Sequence, residues 1–169
     1  MVLSIFGVVF FGPAQSETFD YKGKTFLIEP QGGYSTRIND QKIIFLYPPS
    51  DLELIQSSPI TFTQLQYTSK FYVSFNPQQD IGLALNEFNR LIIPLLGKRV
   101  VSACFEDVPG CEELPIITCE QATPETKVIV YEEANSSAID YNLNCLTIKG
   151  SGEDLAKLTD KMALDFLIS

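Results

Sequence analysis

Between Lys127 and Leu167 the spacing of apolar positions changes twice, and each change marks an element. Lys127-Val128-Ile129-Val130-Tyr131 is β-branched and aromatic, with apolar residues on both faces. That pattern predicts a strand inside a sheet. Glu132 to Ala138 is small and polar and reads as a turn. From Ile139 the period is two: Ile139, Tyr141, Leu143 and Cys145 point one way, Asp140, Asn142 and Asn144 the other. This alternation predicts a strand with one wet face. Gly150-Ser151-Gly152 ends it. Ser151, with Asp154 three residues on, resembles a capping box. Leu155, Leu158, Met162 and Phe166 then recur at helical spacing. A helix with such a stripe buries it against the adjoining sheet. The register makes Leu143 a core position, where Leu143→Asp would bury an unpaired charge, and makes Asn142→Asp nearly silent.

The first half echoes this order. Lys42-Ile43-Ile44-Phe45-Leu46-Tyr47 resembles Lys127 to Tyr131, and Phe71 to Phe75 followed by Asn76-Pro77-Gln78-Gln79-Asp80-Ile81 resembles Cys145 to Ile148 followed by Gly152 to Leu155. In that alignment Asp80 matches Asp154, Asn86 matches Asp160 and Phe88 matches Met162. Asn76 is suited to an N-cap, Pro77 to the first helical position, and Gln79 completes a box. Ile81, Leu85, Phe88 and Ile92 form the stripe, and Pro94 and Gly97 end the helix. Thr25 to Glu29, Tyr34 to Ile38, Ile43 to Tyr47 and Ile60 to Tyr67 read as further strands, with a short helix around Leu52 to Gln56 behind Ser50-Asp51-Leu52-Glu53. The fold class expected is α+β: an antiparallel sheet with two main helices near residues 77–93 and 153–167, and two strand-strand-helix repeats as the pattern of an internal duplication.

The N-terminus changes the picture of compartment. Residues 1–12 are apolar and uncharged, too short to span a bilayer, and Ala14 and Ser16 fit a small-x-small cleavage rule. No Lys or Arg precedes Lys22, which departs from a secretory n-region. Residues 1–16 are expected to be a signal peptide or membrane anchor, and residues 17–169 a single α+β domain, with sub-lobes 17–100 and 101–169 as the alternative division.

Charge is uneven. The chain of 169 residues carries a net −9, all of it in residues 103–169, where thirteen acids face four bases. Such acidity argues against nucleic acid and anionic membrane surfaces as partners. The four cysteines, Cys104, Cys111, Cys119 and Cys145, allow three pairings. The favoured one joins Cys104 to Cys111 around the Glu106–Gly110 turn and Cys119 to Cys145, because Cys145 faces inward and Pro115 to Cys119 is a neighbouring apolar segment. Zinc is disfavoured, since there is no C-x-x-C and the chain contains no histidine.

The absence of histidine also removes Ser-His-Asp and Cys-His catalysis. No phosphate-binding or dinucleotide motif is present. The acid pairs Glu106/Asp107, Glu112/Glu113 and Glu132/Glu133 are adjacent in loops, which does not supply two carboxylates across a cleft. Glu106, Asp107, Glu112, Glu113 and Glu120 lack the D-x-D-x-D order of a calcium loop and read as a solvated face. No catalytic, cofactor-binding or metal residue is assigned. Asn135-Ser136-Ser137 fits a glycan acceptor in the last turn, with Asn135 as the candidate.

The segment from Ile117-Thr118-Cys119-Glu120-Gln121 to Val130-Tyr131, with Asn144-Cys145 and Ile148-Lys149-Gly150, resembles a recurring C-terminal module of exported or membrane-anchored archaeal proteins. The resemblance covers about a third of the chain. It implies a surface location and the Cys119–Cys145 pairing, and no activity. Together these readings predict a non-enzymatic extracytoplasmic domain, touching the membrane only through residues 1–16 and acting through contacts with a protein partner at the cell envelope. The alternatives are an accessory subunit of a membrane complex held by an uncleaved N-terminus, and a histidine-free carboxylate hydrolase.

Overall fold

The computed structural model describes residues 17–38, 40–55, 65 and 67–168. The expected signal or anchor at residues 1–16 and most of the strand expected over Ile60 to Tyr67 lie outside the described residues.

The chain opens on a four-stranded antiparallel meander in the order β1-β2-β3-β4. Its strands are β1 (Thr18–Tyr21), β2 (Lys24–Ile28), β3 (Tyr34–Ile38) and β4 (Gln41–Phe45). One face is aromatic. Phe19 stacks on Phe26 at 5.6 Å, and Phe26 tilts against Phe45 at 5.9 Å. These rings bury the face that meets the helices. Pro48 and Pro49 stop β4, and α1 (Pro49–Glu53) follows with Pro49 in its first turn. The capping box expected at Ser50 does not form; its hydroxyl donates to Asp51 instead, at 3.3 Å.

The second sheet has five strands in the order β6-β5-β7-β9-β8. They are β5 (Lys70–Phe75), β6 (Arg99–Cys104), β7 (Thr126–Glu133), β8 (Ala138–Asn142) and β9 (Cys145–Gly150). The fold is mixed α+β, as the sequence pattern predicts, with one difference in pairing. β5 runs parallel to β6 and β7, and β7 parallel to β9; only β8 is antiparallel, on β9. The physical reason is visible in β7, whose central residues are buried on both faces, the habit of parallel strands. β6 joins β5 across the boundary of the alternative division into sub-lobes 17–100 and 101–169. The matched segments β4 and β7 lie in different sheets.

Helices cover one face of this sheet. α2 (Gly82–Glu87) runs into a π turn (Phe88–Ile92) and then α3 (Ile93–Leu96). Pro94 has no N–H for the carbonyl one turn back and its ring crowds it; the turn before it widens, with Ile93 N–H donating to Phe88. Asn76 does not cap this helix. Its side chain accepts from Gln78 N–H at 2.8 Å and closes a turn, and the helix starts at Gly82. α4 (Gly152–Ile168) matches the predicted helix. Ser151 Oγ donates to Asp154 at 2.7 Å across its start. Gly152 lets that start approach the turn before α2: a Cβ there would stand 2.7 Å from the Asp80 carbonyl oxygen.

The register after Ile139 is corrected by the structure. β8 ends at Asn142, which pairs with Cys145, and Leu143-Asn144 form a two-residue turn with φ of 44° and 70°. A two-residue hairpin of type I′ has positive φ at both central positions. Leu143 is therefore 81% exposed rather than core. Ile139 is buried on the helix side, and Cys145 is buried on the opposite face. The unbroken apolar alternation through Leu143 hid the turn.

Leu143→Gly is expected to raise stability by about 0.5–1 kcal/mol, because it removes a left-handed β-substituted residue from an exposed position. Leu143→Asp should stay within about 0.5 kcal/mol of the parent. Urea melts check both; a large loss in Leu143→Asp would return this residue to the core.

Candidate functional site

The outer edge of β4 carries the densest buried polar chemistry among the described residues. An edge strand presents unpaired N–H and C=O groups. Here the helix layer supplies their partners. Asp160 Oδ2, from α4, accepts from Leu46 N–H at 2.7 Å and Tyr47 N–H at 3.1 Å. Arg90, from the π turn, donates to the Ile44 carbonyl and to the Glu87 carboxylate. Ile44 C=O and Leu46 N–H point to the same side of the strand, so the two side chains stand where a fifth strand would pair.

Asp160 is 0% exposed and Glu87 1%. Burial foremost, and then the charge of Glu87, push the Asp160 carboxyl up to about 8, against the pull of the two backbone N–H groups. Beside them Tyr131 Oη and Thr159 Oγ1 share a hydrogen bond of 2.9 Å, and Thr159 donates to the Leu155 carbonyl at 2.8 Å. Burial raises the Tyr131 phenol as well. A buried cation, Lys127, donates to Tyr141 Oη at 2.7 Å and Asn144 Oδ1 at 3.0 Å, tying β7 to the tip of the β8–β9 hairpin.

The other face of the five-stranded sheet is covered by the loop between β6 and β7. Cys104 bonds Cys111 and Cys119 bonds Cys145, with Cα separations of 6.1 Å and 5.3 Å. The favoured pairing is the one present. Phe105, Ile117 and Ala122 of the loop pack on Val128, Val130 and Cys145. Ser74 Oγ donates to the Ile117 carbonyl at 2.6 Å, and a capping box of Thr118 and Gln121 closes the 3-10 turn at Cys119–Gln121. Beside this turn lies an open hollow of about 520 Å³, bordered by Phe105, Glu120, Glu132, Asp140 and Lys149.

The acid pairs singled out in the sequence are dispersed. Glu106 accepts from Asn76 Nδ2 at 2.6 Å, Glu112 folds back on Gly110 N–H at 3.0 Å, and Glu132 pairs with Lys149 at 2.7 Å. Glu133 accepts from Asp80 N–H at 3.4 Å. Among the described residues no three acidic or thiol side chains converge as a metal-ligand set, and no helix is long and apolar enough to cross a membrane. Asn135 is exposed in the turn between β7 and β8. Glu87, Arg90 and Asp160 were not singled out as functional from the sequence. The available signal was an acid set among Ala156, Thr159 and Ala163, the second apolar stripe that buries α4 on most sides.

A comparison with family models, characterised proteins and solved structures finds no match to this chain.

Arg90→Met should cost about 3–5 kcal/mol, because it leaves the buried Glu87 charge and the Ile44 carbonyl without their donor. Glu87→Gln should cost less. Chemical denaturation of both variants checks the order; a loss under about 1 kcal/mol in Arg90→Met would show that the cluster does not hold the edge.

Cys119→Ser and Cys145→Ser should destabilise equally, by about 2–5 kcal/mol, since each unmakes the same bridge. Cys104→Ser should cost less, because its partners stand 7 rather than 26 residues apart. Thermal melts under non-reducing conditions test the comparison.

Proposed function

We propose that this chain is a non-enzymatic extracytoplasmic domain that works through protein contacts at the cell envelope. The observation that carries the reading is the pair of disulfides. They fasten both ends of the β6–β7 loop onto the sheet, and such bonds persist in oxidising compartments. Loops held on a rigid scaffold are where binding residues concentrate. Here the pinned loop keeps Asp107, Glu112, Glu113, Glu120 and Glu125 exposed in one fixed arrangement. The buried Glu87–Asp160 pair serves cohesion in this reading, because both carboxyls are enclosed by the two layers they join.

The test is fractionation of native cells with thiol labelling in place. The protein is expected in the envelope or secreted fraction with no cysteine labelled before reduction. Envelope partners crosslinked to the intact chain should be lost from the Cys104→Ser/Cys111→Ser variant. A cytoplasmic protein with four reactive thiols would overturn the proposal.

A further inference from the structure

We propose that a proton on Asp160 Oδ1, directed at the Glu87 carboxylate, is the latch that keeps the β4 edge on the helix layer. The geometry carries the inference. Asp160 Oδ2 is occupied by the N–H groups of Leu46 and Tyr47. Its other oxygen, Oδ1, is buried and receives no donor. The neighbouring carboxylate is that of Glu87, whose oxygens turn to Arg90. Two ionised carboxylates have acceptors only and repel. A proton on Oδ1 makes the orphan atom a donor and gives Glu87 a hydrogen bond.

The charged and titratable groups around the pair do not replace that proton. Arg90, from the π turn, is already engaged by Glu87 and the Ile44 carbonyl. On the β4–α1 connection, Tyr47 lies near the acids Glu153 and Asp154 as well as the pair itself. Lys157 of α4 sits over the Tyr47 ring at 5.8 Å, and Lys161 pairs with Asp165. From α1, Glu53 is turned to Lys22 and Tyr21, and from β4, Lys42 is turned to Glu29. From β7, the Tyr131 hydroxyl is shared with Thr159.

The direction of the pH effect follows. With β4 docked, Asp160 keeps its proton to about pH 8. In an opened form it meets water and titrates near pH 4, the usual aspartate value. Between those limits the docked form binds one more proton than the open one. Opening therefore becomes up to about tenfold easier per pH unit and levels off above the upper limit. The edge is held most tightly in acid and most loosely in mild alkali.

Amide hydrogen exchange on the full chain between pH 5 and 9, corrected for intrinsic exchange, tests the latch. Protection at Leu46 and Tyr47 is expected to fall by up to about tenfold per pH unit until about pH 8, while β7 and β9 hold theirs. Asp160→Asn should abolish this slope, and Glu87→Gln should move its end point toward acid. Flat protection in the parent, or the same slope in Asp160→Asn, overturns the proposal. If Asp160→Asn does not fold, infrared titration of the parent decides. A buried protonated carboxylic acid present at pH 7 and lost in mild alkali supports the latch, and its absence at pH 7 overturns it.

Discussion

The backbone groups on the outer edge of β4 must be satisfied away from water, and the rest of the structure is arranged to do it. A fifth strand would have been the common solution. Here Arg90 supplies the donor for Ile44 and Asp160 the acceptor for Leu46 and Tyr47. The consequence is that an antiparallel meander docks edge-on and aromatic face inward onto helices that belong to another sheet. The cost is burying two carboxyl groups in one place, and it is met by pairing Glu87 with Arg90 and packing Asp160 beside them. The π turn matters because it brings Glu87 and Arg90 to this seam just before Pro94 interrupts the helix.

How much of this was legible in the sequence depended on whether a residue's own spacing announced its role. β7 and α4 were legible because β-branched residues and a 3.6-residue stripe are local signals. The hairpin at Leu143-Asn144 was not, since a leucine in the left-handed region is a poor turn residue and continued the alternation. β6 was missed because Arg99 to Ser102 is short and sits beside a cysteine that drew attention to the loop. The parallel pairing was hidden for a different reason: alternation says which face is wet, and long-range register decides which strand lies alongside. Glu87, Arg90 and Asp160 carry no local signal, because the contact that engages Arg90 and Asp160 is with the β4 edge, far away in the chain.

The disulfide pairing was legible because few alternatives existed and one segment beside Cys119 was apolar. Cys145 was placed on the same face as Ile139, whereas the turn between them puts it on the loop side. The right partner emerged because Cys119 is on that side as well. A correct pairing thus did not require a correct face, which shows why a predicted bridge is weak support for a predicted register.

The two faces of the five-stranded sheet are held by chemically different devices, and β7 lies between them. Val128 and Val130 pack under the disulfide-pinned loop. Tyr131, the next residue, faces the helices and hydrogen-bonds Thr159, the neighbour of Asp160. Reduction acts on the loop side and deprotonation on the helix side. β7 is paired on both edges by parallel neighbours, which hold its place when either device lets go. Loosening of the loop therefore need not open the meander, nor the reverse. The two devices nevertheless share β7, where Val130 and Tyr131 are consecutive, so their effects on stability couple through that strand rather than simply add.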